Sequence, residues 1–274
     1  MFETLKNVFR VKEMRRKLLY LIWMIFIIRI GCQIPVPGVD SDFFKQWFGS
    51  NAGDAFNFFD AFTGGSFERM SIFALNITPY ITSSIIIQLL TIAIPALEEM
   101  QRDGEEGRKK MTAITRYVTV GLALFESIAM AIGFGRQGMI PDLDFFKGVV
   151  VVACLTAGSA MLMWLGERIT EKGVGNGISI VLTINIISRV PSDLTLLYEN
   201  FIKGKTIAKG TLAGLIIAAV ILLVVVLVLI LNGAERRIPV QYSKKMVGRK
   251  LMGGQSTNIP LKVNTAGVIP VIFA

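Results

Sequence analysis

Six long apolar runs, separated by short charged or glycine-rich loops, constrain this chain more than any other feature. They fall at Leu18–Ile34, Ile77–Ile94, Tyr117–Phe134, Gly148–Leu165, Ile178–Val190 (the short one) and Leu212–Leu231. A seventh begins near Thr265, and the sequence stops inside it at Ala274. A spanning helix needs about 20 predominantly apolar residues. Helices suit that role because lipid offers the backbone no partner and the helix satisfies its own amides. These runs explain a mean hydropathy of +0.58 and a 53% hydrophobic composition, values soluble domains rarely reach. The expected fold class is an all-α polytopic membrane protein, a helical bundle.

The loops carry the orientation. Segments 1–17, 96–116, 166–177 and 234–262 together hold 20 of the 29 Lys and Arg residues, whereas 35–76, 135–147 and 191–211 hold 7. Loops rich in Lys and Arg stay on the cytoplasmic side, which places the N-terminus inside. Residues 1–17 set Phe2, Leu5, Val8 and Phe9 against Lys6, Arg10, Lys12, Arg15 and Arg16. That pattern suits a helix lying on the inner membrane surface. The apolar run behind it is long and lacks a small-residue cleavage site, so it reads as a retained first span rather than a signal peptide.

Composition removes whole classes of chemistry. No histidine is present, and with it go the commonest general base and the commonest metal ligand. Cys32 and Cys154 are distant and sit in or at the edge of apolar runs, which suggests neither a disulfide framework nor a metal cluster. GVGNG (173–177) has the glycine content of a phosphate loop, but it follows a membrane helix and lacks both the Lys-Ser/Thr and a ribose-binding acid. It reads as a tight turn into the next span. No enzyme chemistry, cofactor or metal is expected, and energy for any work must come from a partner.

The stretch TGGSFERMSIFALNITPYITSSIIIQLLTIAIP (63–95) departs from a plain span. Gly64–Gly65 breaks the chain, and Ser66 can cap a short helix running to about Leu75. Thr78 can then cap a new helix with Pro79 at its first position, where proline loses no hydrogen bond. The first piece is too short to cross and carries Glu68 and Arg69. Such backbone survives at membrane depth only if protein buries it or it lines a watery cavity. The second span is therefore expected to face an aqueous funnel, with a short half-helix before it. Upstream, Pro35, Pro37 and Gly38 end the first span, and a short helix is expected at 42–48.

Other features are less decisive. Ile81 and Ile85 stack on one helix face. They read either as ordinary packing or as a hydrophobic constriction that gates by dewetting. Intramembrane charges are functional candidates: Arg29 and Arg189 are expected to snorkel to an interface, and Glu126 to be a packed or cavity-facing polar residue. The loop 98–111 is densely charged and cytoplasmic. Loop 234–264 carries seven basic residues against one acid and alternates at Ile238–Tyr242 and Ile259–Val263. Two short paired strands are expected there, protruding toward RNA, acidic protein or lipid headgroups.

Four motifs, GGSFERMSIFALNITPYITSSIIIQLL, MWLGERITEKGVGNGIS, ERRIPVQY and QSTNIPLKVNTAGVIPVIFA, closely resemble the SecY family of bacterial protein-conducting channels. The resemblance runs in order from about residue 15 to the last residue. It implies a first inverted-repeat half at 18–190, an external hinge loop between the halves at 191–211, and the start of the second half at 212–274. It implies that residues 64–75 form the plug, whose core is Ser66, Phe67, Glu68, Arg69, Met70, Ser71, Ile72 and Phe73. The break at Asn76–Pro79 would let that piece swing away, and few contacts would keep its displacement cheap. Ile81, Ile85, Ile186 and Ile272 match the pore ring, which can seal around any polypeptide without specific bonds. Spans two, three and seven would contribute to a lateral gate. Arg236, Arg237, Lys244, Lys245, Arg249 and Lys250 match a docking surface for the ribosome or the SecA motor. The implied partners are SecE, SecG, SecA, the ribosome, a translocating preprotein and the lipid bilayer, and the implied location is the bacterial cytoplasmic membrane.

Members of that family have ten spans in two inverted halves, so this sequence reads as a fragment not expected to close a pore alone. Two other classes stay in view. A secondary transporter also uses broken helices, but needs a polar site where Ile81, Ile85 and Ile86 follow the break, and would depend on Glu126. A structural membrane anchor has no use for the half-helix.

Overall fold

The computed structural model describes residues 11–41, 43–44, 46, 60–138, 140, 144–203, 207–241, 245–247, 250–252 and 256–265. Seven helices are described: α1 Lys12–Gly31, α2 Thr78–Ala93, α3 Pro95–Arg102, α4 Gly104–Arg136, α5 Phe145–Lys172, α6 Gly177–Phe201 and α7 Ile207–Gly233. Each contains one of the apolar runs except α3, which is charged and amphipathic. α4, α5, α6 and α7 are long and apolar enough to cross a membrane. α2 and α3 qualify only as a bent pair, turned by 103°. The bend sits at Ile94, which is extended because Pro95 follows it and clashes with a helical predecessor. α1 keeps only Leu18–Gly31 as apolar helix, its first turns being charged.

Most of 1–17 and of the expected helix at 42–48 lies outside the described residues, as does the seventh run beyond Thr265. One boundary shifts within them. Residues 191–201, expected as loop, continue α6 with Pro191 inside it. Proline fixes a φ close to the helical value and forfeits one backbone bond, a loss that spanning helices absorb through neighbouring groups.

The chain divides into two compact units, 1–193 and 194–274. In the first, α4 packs on α2 and α5, and α1 packs on α5. Hydroxyls stitch these contacts: Ser83 on α2 meets Thr119 on α4 at 2.5 Å, and Ser127 on α4 meets Thr156 on α5 at 3.1 Å. Short hydroxyl side chains let helices approach closely and bond across the contact.

Residues 60–77 occupy the middle of this unit. One helical turn, 60–63, is followed by consecutive turns rather than the expected half-helix. Two causes are visible. Met70 (φ 46°) and Asn76 (φ 52°) are left-handed and interrupt any helix. The segment also pairs with the strand-like QIPVP stretch: the Val36 amide donates to the Met70 carbonyl at 2.9 Å, and the Ile72 amide donates to the Ile34 carbonyl at 3.0 Å.

The second unit holds α7 and a basic hairpin. α7 is apolar on every face, and none of its most apolar window is buried within the unit. β1 (Glu235–Gln241) pairs antiparallel with β4 (Ser256–Lys262), and β2 (Lys245–Val247) with β3 (Lys250–Met252). Both ladders keep one register, Glu235 opposite Lys262 and Lys245 opposite Met252, so the paired strands expected there are longer than their alternation suggested.

Candidate functional site

The site grows from the segment at 60–77. Its apolar side chains feed two clusters. Phe67, Met70, Ala74 and Leu75 join Val36, Phe44, Phe134, Val151 and Leu155, where the rings of Phe44, Phe67 and Phe134 meet edge-on at 5.0 to 6.0 Å. Phe73 and Ile77 join Ile28, Leu162, Leu165, Ile169 and Val181. A large side chain contributes about 1.5–3 kcal/mol when fully buried. Withdrawing Phe67, Met70, Phe73, Leu75 and Ile77 together would therefore expose on the order of 10 kcal/mol of burial. The expectation that the segment makes few contacts is overturned. Among its residues only Arg69 is exposed; Glu68 and Ile72 are half-buried, and Ser66 and Ser71 are buried. Arg69 bonds to Gln33, beyond the end of α1.

A polar network complements the apolar packing. Asp60, fully buried, forms an ion pair with Arg189 on α6. Its Oδ1 also accepts from the Glu68 amide at 2.9 Å and the Thr63 hydroxyl at 3.1 Å. At the far end of the segment, Asn76 Nδ2 donates to the Phe62 carbonyl at 2.8 Å, and Asn76 Oδ1 accepts from Asn185 Nδ2 at 3.0 Å. Asn185 Oδ1 in turn accepts from Arg29 Nη1 at 3.1 Å. Arg29 and Arg189 thus turn inward to the segment instead of snorkelling. Buried polar groups are expensive unless bonded, and the partners of Asp60, Asn76 and Asn185 fix the segment's position, whereas the buried Ser66 and Ser71 hydroxyls have none among the described residues. Asp60 and Asn185 have no part in the sequence reading, and Asn76 enters it only as the start of the chain break. The available signal was the pair Asn185 and Arg189, four residues apart in an apolar run and hence on one helix face.

The proposed ring residues are placed differently from one another. α2 buries Pro79, Ser83, Ile87 and Thr91, a stripe of period four. Ile81 and Ile85 lie about 200° around the helix from Ser83 and Ile87, on the opposite face. Both are half-buried, and Ile81 leans on the second apolar cluster. Ile186 on α6 is 41% exposed. Ile272 lies outside the described residues.

Of the basic hairpin residues, Arg236 and Arg237 on β1 are exposed. Lys245 and Lys250 lie on β2 and β3, and Lys244 and Arg249 lie outside the described residues. Glu126 is half-buried on α4. GVGNG forms the turn between α5 and α6. There the Thr170 hydroxyl accepts from the Gly177 amide at 2.9 Å and Asn176 Oδ1 from the Ile178 amide at 3.1 Å, so the start of α6 is capped from within the chain.

Three comparisons bear on this arrangement. The family model for SecY matches residues 71–274. The chain is 44% identical to the protein translocase subunit SecY of Halalkalibacterium halodurans, over all of this chain and 64% of that protein. It is 43% identical to the same subunit of Pseudomonas aeruginosa, over 96% of this chain and 59% of that protein. The chain thus spans about three fifths of the curated relatives it matches. The fold is similar to that of a solved protein-conducting channel (TM-score 0.56, 19% identity, 94% of this chain and 55% of that one). It is also similar to a SecY structure solved to study how its plug domain stabilises the closed state (TM-score 0.53, 20% identity, 94% and 54%). A family match over most of the chain, joined to relatives of high identity and a shared fold, establishes that this chain belongs to the SecY family.

Proposed function

We propose that the protein is the central subunit of the Sec translocation channel. It passes unfolded secretory polypeptides across the bacterial cytoplasmic membrane and releases apolar segments sideways into lipid. The pore is passive. Residues 64–75 are its plug, and Ile81, Ile85, Ile186 and Ile272 form the ring that seals around the passing chain. Branched aliphatic side chains suit this task because they exclude water and ions while bonding to no particular sequence.

The observation that carries the reading is the buried, turn-built segment at 64–77, seated among α1, α5 and α6 immediately before a span whose Ile81–Ile85 face points away from the α4 contact. A transporter would need a polar substrate or ion site where the chain breaks before Ile81 and Ile85, and an anchor would need no such segment. The basic hairpin, with Arg236, Arg237, Lys244, Lys245, Arg249 and Lys250, serves as the docking surface for SecA or the ribosome, since clustered cations attract acidic protein and RNA alike. A related chain, Sec61, is known within a canine ribosome–channel complex. SecE and SecG complete the assembly, and the N-terminus is cytoplasmic.

The test uses the full-length protein with Cys32 and Cys154 replaced and a single cysteine at Ile85→Cys. It is co-expressed with a stalled secretory chain bearing one cysteine at mid-length, then oxidised. A specific cross-link at Ile85, repeated at Ile81 and Ile186, is expected. An inserted protein that gives no cross-link at any of the three would overturn the pore assignment.

A further inference from the structure

Asn185 and Arg189 stand one turn apart on the same face of α6, and between them they hold both ends of the 60–77 segment. Arg189 takes Asp60 where the segment begins, and Asn185 takes Asn76 where it ends, at 3.0 Å. Gly64, between these attachments, is pressed against α6: a Cβ there would crowd the Asn185 carbonyl and the Ser188 hydroxyl. Its φ of +67° already favours glycine.

We propose that Asn185 and Arg189 form a two-point clamp that sets the closed position of the segment, and that opening requires both attachments to part together. This rests on the channel reading above. Apolar burial supplies most of the holding energy but tolerates small slips, whereas an ion pair and an amide pair are directional and admit one placement. The clamp also joins the segment to the proposed ring, because Ile186 is the next residue after Asn185. A polypeptide that displaces Ile186 shifts α6, and the clamp translates that shift to both ends of the segment. Asn185 and Arg189 are therefore positioning residues: they touch the segment, not the cargo. Two discrete states, clamped and released, are what a packed core and an all-or-none polar contact favour over gradual loosening.

The pairing makes a sign-specific prediction. Arg189→Gln leaves the Asp60 carboxylate buried and unpaired, which is worse than neutralising both, whereas after Asp60→Asn the guanidinium of Arg189 keeps only the exposed Asp193. The full-length protein with its partner subunits is reconstituted in liposomes, and resting ion flux is read alongside preprotein transport. Asp60→Asn and Arg189→Gln should each raise resting flux about tenfold, the scale of a typical coupling between two states. The double variant Asp60→Asn/Arg189→Gln, which keeps an amide–amide bond available, should leak less than either single. Asp193→Asn, which removes the exposed second partner of Arg189 at 3.5 Å, should stay tight. If a single variant does not accumulate, Asn185→Ser cuts the other attachment, leaving Arg29 its contact with the Gly64 carbonyl, and should leak in the same way. Wild-type protein that transports while all these variants remain tight, or a double variant as leaky as the worse single, would overturn the clamp and leave the channel reading standing. Wild-type protein that inserts but transports nothing would overturn both.

Discussion

A Cβ added to Gly158 on α5 would overlap the backbone carbonyl oxygen of Ile72, whereas one added to Gly121 on α4 meets nothing within 4 Å. The obstacle at Gly158 is main chain, which cannot rotate aside, so Gly158→Ala must shift the segment or the helix. Overpacking of this kind costs about 1–3 kcal/mol. Gly158→Ala should therefore lower the thermal midpoint of the purified protein by several degrees, while Gly121→Ala leaves it nearly unchanged. Equal midpoints would mean that the segment does not rest on α5 as closely as described. Glycines of this kind are invisible in the sequence, where Gly158 is one small residue in an apolar run. The charges were visible but misjudged. Arg29 and Arg189 looked like residues seeking the interface because their partners, Asp60 and Asn185, are distant in sequence or disguised as one polar residue among isoleucines. Pairings across 129 positions, as between Asp60 and Arg189, leave no periodic trace.

Elements were more legible than contacts. Every described spanning helix grows from an apolar run, because run length is set by the bilayer and survives any tertiary arrangement. Proline marks one boundary and not another: Pro95 ends α2, yet Pro191 rides inside α6. The half-helix became turns because QIPVP, more than 30 residues upstream, competes for the segment's backbone bonds. Only tertiary placement decides that contest. α2 gives the clearest test at this scale. Ser83, Ile87 and Thr91 face α4 and are buried, while Ile85 is half-buried on the opposite face. In a variant without native cysteines, Ile85→Cys should react with a small water-soluble thiol reagent from the cytoplasmic side, and Ile87→Cys should stay unreactive. The reverse order would turn the helix by half a revolution and move the proposed ring out of the pore.

At the scale of the whole chain, charge asymmetry outweighs any single contact. Twenty of 29 basic residues lie on loops assigned to one side, and each cation kept on the cytoplasmic face adds to the same preference. The assignment makes the hairpin β1–β4 cytoplasmic and the α4–α5 connection external. α7 is compatible with that crossing: a helix whose most apolar 18 residues have a mean hydropathy of 3.6 can only be sheltered by lipid or protein. Exposed positions on each side provide the measurement. Asn258→Cys on β4 and Gln137→Cys at the end of α4 both present accessible side chains. In cysteine-free full-length protein, a membrane-impermeant maleimide should label Asn258→Cys in inverted vesicles but not in spheroplasts, and Gln137→Cys in spheroplasts but not in inverted vesicles. Labelling in the opposite pattern would invert the whole chain. The basic hairpin would then face away from the cytoplasm, where neither a motor nor a ribosome could reach it, and the docking assignment would fall while the helix assignments stood. Labelling of both positions from one side would remove an odd number of crossings between them. Because α5, α6 and α7 are the three described helices in that interval, one of them would then lie outside the bilayer. α6, which carries Pro191 and the lowest hydropathy of the three, 1.4, is the helix such a result would single out.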